Sequence, residues 1–338
     1  MKPTDFAKTL TGFFTRHLAG TRNLSPNTIK SYRDTFKQFL EFCRNEKGIL
    51  PEKLTYSKIS KQMILDFLDW SEQTRKCSIA TRNHRLSAMR SFFRFSQSEE
   101  PGVIQLAQDI LGIATKKYQK PVIAHLLSEQ TKLLLRQPDM RKKSGRRDAT
   151  LLSVLYDTGG RVQEICDLCV KNVRLDTPAQ ITLTGKGRKT RFVPLMNNTV
   201  KLLCHYIDEH RLNGVGKDST PLFFNQRHEA LTRGGVTYIL QKYAKLARRI
   251  DSAIPEKITP HIMRHSKAMD LYRSGANLVY VRDILGHVDI ATTDIYAKME
   301  MDTKRKALEG AYPEIIPSES EYEDWCKNED VMGFLDSL

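Results

Sequence analysis

Cysteine is scarce and scattered in this chain. The six present (Cys43, Cys77, Cys166, Cys169, Cys204 and Cys326) read as reduced thiols of a cytoplasmic protein rather than as a disulfide framework. Long apolar runs are missing as well: none approaches the roughly 18 residues that span a bilayer. The opening stretch MKPTDFAKTLTGFF has neither the long apolar region nor the small-residue cleavage site of a secretory signal. Repeats and low-complexity tracts are absent. So are the usual marks of a cofactor. Cys166-x-x-Cys169 has no second Cys or His pair at ligand spacing, and His261-x-x-x-His265 carries Ile262 where a zincin helix has glutamate. The segment GKGRKT lacks the spacing of a phosphate-binding loop. No metal and no nucleotide cofactor is therefore expected.

What the chain does have is positive charge, unevenly spread. Its formal net charge is +15, made up of +7 over residues 1–115, +16 over 116–308 and −8 over 309–338. A basic body suits a polyanion, because each phosphate contact releases condensed counterions. No basic amphipathic helix with an aromatic anchor stands out, which argues against a membrane surface.

The first hundred residues read as helices. Ser25 followed by Pro26 is an N-cap with proline at the first helical position. Behind it, Ile29, Tyr32, Phe36, Phe39, Leu40 and Cys43 form a stripe at helical spacing that Gly48 and Pro51 end. Ser60 caps a second helix with Ile64, Leu65, Phe67 and Leu68 on its buried side. A third runs from about Ser78 to Phe95, burying Leu86, Met89, Phe92 and Phe93. Its Arg82, Asn83, Arg85 and Arg90 are expected largely on the surface, as a basic, amide-bearing face able to enter a major groove. Glu99-Glu100-Pro101-Gly102 breaks the pattern, and the basic stretch 116–121 reads as a linker. Beyond it, helices are expected from Ser128 and over Arg147–Asp157, and others near Asn197, Arg233, His261, Leu278 and Ile290. Ala179–Thr184 and Thr190–Leu195 alternate like two strands around a Gly185-Lys186-Gly187 turn. The fold class is thus mostly α: a helical N-terminal domain, then a mixed α/β, mainly helical domain with a small antiparallel sheet. The boundaries fall at residues 1–115, 116–308 and 309–338. The last segment is an acidic tail whose Val331, Phe334, Leu335 and Leu338 share one helical face. That helix is too short to stand alone, and it asks for a groove on its own chain or a neighbour's.

Six residues of the second domain suit metal-free transfer of a DNA strand. Arginine donates to two phosphate oxygens at once and keeps its proton, so Arg161 and Arg264 are candidates to stabilise charge developing on a scissile phosphate. Arg161 follows the tight Thr158-Gly159-Gly160 turn and opens a helix, where backbone N–H groups also favour an anion. Lys186, in its hairpin turn, can deliver a proton to the leaving 5′-oxygen. A tyrosine can attack the phosphorus once its proton is taken; Tyr296 is the candidate nucleophile and His261 the partner for that proton. His287, in Leu-Gly-His, would donate a hydrogen bond to the phosphate. Glu164 would orient Arg161 or His261.

The ordered set (Arg in TGGRVQE, Lys in a hairpin, His-x-x-Arg, Leu-Gly-His and Tyr nine residues on) resembles the tyrosine recombinase/integrase family, the Xer, Cre and lambda integrase group. It spans roughly residues 120–300. The N-terminal helices are similar to that family's core-binding, SAM-like domain. The resemblance implies a catalytic pocket of Arg161, Lys186, His261, Arg264 and His287, with Tyr296 forming a 3′-phosphotyrosyl link. Glu164 holds the family's common acidic position, and Gln163 stands where serine is frequent. It also implies site-specific recombination of double-stranded DNA through a Holliday junction, needing neither ATP nor a divalent ion. The assembly implied is a homotetramer on DNA, or a heterotetramer with a related recombinase. An accessory directionality factor is a candidate partner, and the tail would be exchanged between protomers. The same chemistry on one duplex, as in type IB topoisomerases or telomere resolvases, is the alternative. A non-catalytic DNA-binding regulator is the reading from another class.

Overall fold

The computed structural model describes residues 2–118, 124–185, 187 and 189–286. The chain forms two compact units that part between residues 121 and 122, at the end of the basic stretch 116–121. Among the described residues no helix is long and apolar enough to cross a membrane.

The first unit is helical throughout: α1 (Asp5–Gly12), α2 (Pro26–Lys47), α3 (Lys61–Gln73), α4 (Ile79–Glu99) and α5 (Ile104–Leu111). Ser25, Ser60 and Ser78 each accept the N–H of the third residue on, from Thr28, Met63 and Thr81 respectively, and so cap α2, α3 and α4. Gly48 ends α2 in the left-handed conformation, φ 65°. The core is aromatic. Phe13, Phe36, Phe39, Phe67, Phe92 and Phe93 are all buried, with Phe36 and Phe92 ring centroids 5.0 Å apart and Phe39 and Phe67 5.3 Å apart. Two pieces escape the sequence pattern. α1 continues as a π-helical stretch, Phe13–Thr21, and α5 follows directly on Pro101-Gly102, which by itself looks like a linker. α5 forms because Ala107 and Ile110 can be buried against α4, a long-range contact that local propensity does not register.

One expectation is corrected here. Arg82 and Arg85 do not lie on an open surface; they are 3% and 9% exposed. α4 packs against α1, α2, α3 and α5, so little of its circumference remains for solvent. Arg82 Nε lies 3.0 Å from Glu72 Oε2, on α3. Asn83 ties down the departing chain through both backbone groups of Lys116: its Nδ2 donates to the carbonyl at 2.9 Å, and its Oδ1 accepts the N–H at 3.1 Å. Arg90 donates to the Ile113 carbonyl. The exposed residues of α4 are instead Thr81, His84, Ser87, Arg94, Ser98 and Glu99.

The second unit begins with α6 (Ser128–Leu135), α7 (Lys143–Thr158) and α8 (Val162–Cys166). A three-stranded antiparallel sheet follows in the order β1 (Val173–Arg174), β2 (Gln180–Thr184), β3 (Thr190–Pro194). Then come α9 (Asn197–Glu209), α10 (Arg233–Ile250), α11 (Pro260–Arg273) and α12 (Leu278–Leu285). The helix expected near Ile290 and the whole tail lie outside the described residues. Leu151, Leu152 and Leu155 of α7 join Ile181, Leu183 and Val193 of the sheet and Leu240 and Tyr243 of α10 in one core. β2 and β3 pair in the register Leu183↔Arg191 and Thr184↔Thr190, which fixes the turn at residues 185–189. β1, only two residues long, has too short a pattern to be seen in the sequence.

Candidate active site

Three segments meet at the C-terminal end of α12: the α7–α8 junction, β3 and α11. The first is the end of α7. Gly159 reverses the chain in the left-handed conformation, φ 54°, and a Cβ there would come within 2.5 Å of Leu285 Cδ2. Glycine thus serves twice, as a helix stop and as room for α12. Arg161 follows at the N-cap of α8. Its backbone N–H and its Nη1 both donate to Glu164, each at 2.9 Å. The anion at this helix start is therefore the chain's own carboxylate, where the sequence suggested a place open to a ligand.

Glu164 is buried. Burial by itself would raise its pKa, but the hydrogen bonds and charge of Arg191 and Arg161 outweigh that and hold the carboxyl below the usual range. Of the two residues this glutamate was expected to orient, it binds Arg161.

α11 brings the second arginine. Thr259 caps this helix by accepting the Ile262 N–H at 3.3 Å, and Pro260 takes the first position. His261 and Arg264, one turn apart, lie on the same side of the helix. Arg264 is 3% exposed; its Nη1 donates to the Gly159 carbonyl and its Nη2 to that of Leu285, both at 2.6 Å. Arg161 Nη2 donates to the Gly286 carbonyl at 3.2 Å, and Arg191 Nε to that of Ile284 at 2.8 Å. Three successive carbonyls at the end of α12 thus each accept from a different arginine. The last carbonyls of a helix lack intrahelical donors and carry the negative end of its dipole, so guanidinium groups are suitable partners. Two carbonyl bonds from one guanidinium fix the plane of its fork.

Partial burial, then the positive charges of Arg264 and Arg161, keep His261 below its ordinary pKa, so it is neutral at pH 7 and able to accept a proton. One turn further on, His265 is pushed down to about 4 by burial and by His261, Arg264 and His125.

Lys186, His287 and Tyr296 lie outside the described residues. Their neighbours bear on where the chain leads. The Gly185 N–H donates to the Lys189 carbonyl at 2.8 Å, closing the β2–β3 turn. A Cβ on Gly185 would stand 2.9 Å from Glu164 Oε1 and 3.6 Å from Arg161 Nη1, so the base of that turn abuts the Arg161–Glu164 pair. Gly286, whose carbonyl Arg161 holds, immediately precedes His287. Arg161, His261, Arg264 and Glu164 are brought together; of the four residues expected to meet DNA in the first unit, Arg82 and Arg85 are buried and Asn83 and Arg90 half-buried. Arg191 is the residue that the sequence reading missed. The signal was there as an inverted strand pattern, since Arg191 shares the inward phase of β3 with buried Val193 while Phe192, between them, is 65% exposed.

The chain matches the model of the phage integrase family over residues 124–302 and that of the phage integrase N-terminal SAM-like domain over residues 13–100. It is 33% identical to the integrase/recombinase-like chain y4rC of Sinorhizobium fredii, over 100% of this chain and 99% of that one. It is 32% identical to the tyrosine recombinase XerD of Staphylococcus epidermidis, over 86% of this chain and 94% of its relative. Among solved structures it resembles the XerH site-specific recombinase in a post-cleavage complex with a palindromic difH substrate. That likeness has a TM-score of 0.66 and 25% identity over 88% of this chain and 83% of the other. The chain belongs to the phage integrase family, the tyrosine recombinases, which cut and rejoin DNA through a phosphotyrosyl intermediate.

Proposed function

We propose that this recombinase acts on specific sites in double-stranded DNA, with Tyr296 as nucleophile in a pocket of Arg161, Lys186, His261, Arg264 and His287. The Tyr296 hydroxyl gives its proton to neutral His261 as its oxygen attacks the scissile phosphorus. The bond from phosphorus to the 5′-oxygen breaks, and Lys186 protonates that oxygen as it leaves. Arg161, Arg264 and His287 hold the non-bridging oxygens, whose charge grows in the transition state. The product is a 3′-phosphotyrosyl link and a free 5′-hydroxyl. Attack by the 5′-hydroxyl of a partner strand reverses the step and passes through a Holliday junction. The phosphodiester bond energy is kept in the link, so the exchange consumes no nucleotide.

The observation that carries this reading is the convergence of Arg161 and Arg264 on the adjacent carbonyls of Gly286 and Leu285, beside a neutral His261. A fixed pair of cations with a proton acceptor is what a phosphoryl transfer asks of its protein.

DNA contact by the first unit falls to exposed residues of α4 together with Arg90, the member of the set read in the sequence that lines the same cavity. Ser87 and Arg94 of α4 line a cavity of ≈ 580 Å³ together with His17, Arg22, Arg90 and Glu99. Four protomers on two sites complete the assembly, with residues 309–338 exchanged between neighbours; truncation after Gly310 is expected to weaken assembly more than binding to one site. The deciding experiment traps the covalent adduct on a nicked suicide duplex. Wild-type protein forms the adduct and the Tyr296→Phe variant forms none while still shifting the same DNA. An adduct in that variant places the nucleophile elsewhere.

A further inference from the structure

We infer that Arg191 is a positioning residue for strand cleavage: it fastens the end of α12 to the Arg161–Glu164 pair and holds Glu164 away from full engagement of Arg161. The inference rests on the functional reading above and goes beyond its six residues.

The geometry is specific. Arg191 projects inward from the second position of β3, with its side chain 11% exposed, and bridges two different groups. Nη2 donates to Glu164 Oε2 at 2.7 Å, and Nε donates to the Ile284 carbonyl at 2.8 Å. Glu164 thereby divides its two oxygens, Oε1 towards Arg161 Nη1 and Oε2 towards Arg191 Nη2 and the Arg161 N–H. Because Oε2 is held in this way, the side chain of Arg161 gives Glu164 only one arm. Its other arm reaches the Gly286 carbonyl. Without Arg191, a buried carboxylate facing a single guanidinium would take both arms in the bidentate geometry that such pairs prefer. Arg161 would then turn from the phosphate position towards Glu164.

The other end of the bridge matters equally. Gly286 has φ 67°, and a Cβ there would stand 2.9 Å from Arg191 Nη1 and 3.1 Å from its Cδ and Cζ. The glycine before His287 therefore does two things: it adopts the left-handed turn and admits this guanidinium. Three arginines on the carbonyls of Ile284, Leu285 and Gly286 fix the point from which the chain continues to His287 and Tyr296. A misplacement of about 1 Å at such a point is enough to slow chemistry about 100-fold.

The test compares Arg191→Met, Arg191→Lys, Glu164→Gln and the R191M/E164Q double variant as full-length proteins. Adduct formation is followed on the suicide duplex at saturating DNA, with DNA affinity and thermal unfolding measured alongside. R191M is expected to form adduct about 100-fold more slowly, with unchanged DNA affinity, and R191K to regain part of the rate. In R191M the acid limb of the pH–rate profile should move to higher pH, because Glu164 loses the partner that most lowers its pKa; a purely architectural residue would not move it. Adding R191M to E164Q should slow the reaction less than R191M slows the wild type, since the Glu164 half of the bridge is already gone and only the hold on the Ile284 carbonyl is left to lose. An R191M chain that cleaves at the wild-type rate overturns the inference. So does a rate loss matched by an equal loss of DNA binding, or a loss that multiplies fully with that of E164Q. Should R191M fail to fold, E164Q and the double variant, which lack the buried carboxylate charge, decide alone: a double variant that cleaves as fast as E164Q overturns the inference. A wild-type chain that forms no adduct overturns the functional reading and this inference with it; an active wild type beside an unaffected R191M overturns the inference only.

Discussion

Both units bury arginine, and they surround it with different mixtures of carboxylates and carbonyls. In the first, Arg82 lies 3.0 Å from Glu72 and 3.9 Å from Asp69, and Lys116 joins the same carboxylates, so charge is matched by charge. In the second, Arg161 and Arg191 share Glu164, and Arg161, Arg191 and Arg264 each donate to backbone carbonyls at the end of α12. Carbonyl dipoles replace much of the hydration a buried guanidinium loses but do not cancel its charge. The first arrangement builds a scaffold. The second holds guanidinium groups in a partly desolvated place, where their charge is worth more to a developing anion than it would be in water.

The sharpest way to break this contrast is to remove one arginine from each side. Arg161→Ala or Arg264→Ala should lower the cleavage rate about 100- to 1,000-fold, read as adduct formation at saturating DNA. Normal cleavage by both would show that the carbonyl-held charges do not serve the phosphate. Acid should distinguish the units next. His265 has its pKa pushed down to about 4 from 6.5, so the unfolded chain binds its proton first. Stability from this residue is intact above pH 6.5 and lost as pH falls towards 4. Chemical unfolding of the second unit across that range, with His265→Gln as control, measures it; the same slope in both chains would count against the assignment. Arg82→Met should destabilise the first unit by about 2 kcal/mol, seen as a lower midpoint for that unit, with cleavage of bound DNA unchanged. A slowed cleavage step at full DNA occupancy would show that Arg82 does more than build the scaffold. Smallest is Ser60→Ala, which removes the cap of α3 and should lower stability by about 1 kcal/mol without touching the reaction; a larger effect would mean that Ser60 has a partner beyond Met63.

Local signals carried far in this chain. The serine caps, Gly48, the α2 stripe and the alternation of β2 and β3 each depend on residues within a few positions, and the structure has them where the pattern puts them. The short motifs around Arg161, His261 and Arg264 were legible for a related reason: a reaction on phosphate fixes residue types regardless of what packs behind them. The surface of α4 was not legible. Its arginines at helical spacing look like a solvated face until α3 and the departing chain cover them. α5 was hidden too, because a short helix after Pro-Gly exists only when a neighbour takes its apolar side.

The amino-acid sequence by itself determined the fold class, the family and the identity of the candidate reacting groups, since periodicity, capping and phosphate chemistry are properties of residue types and spacing. Tertiary structure alone decided which arginines are matched by carboxylates and which by carbonyls. That depends on how segments more than a hundred residues apart approach one another, as Arg161 and Gly286 do. Only there does Arg191, an unremarked basic residue in a strand, acquire two partners at once. Charge has no fixed meaning along a chain; its partners in space give it one.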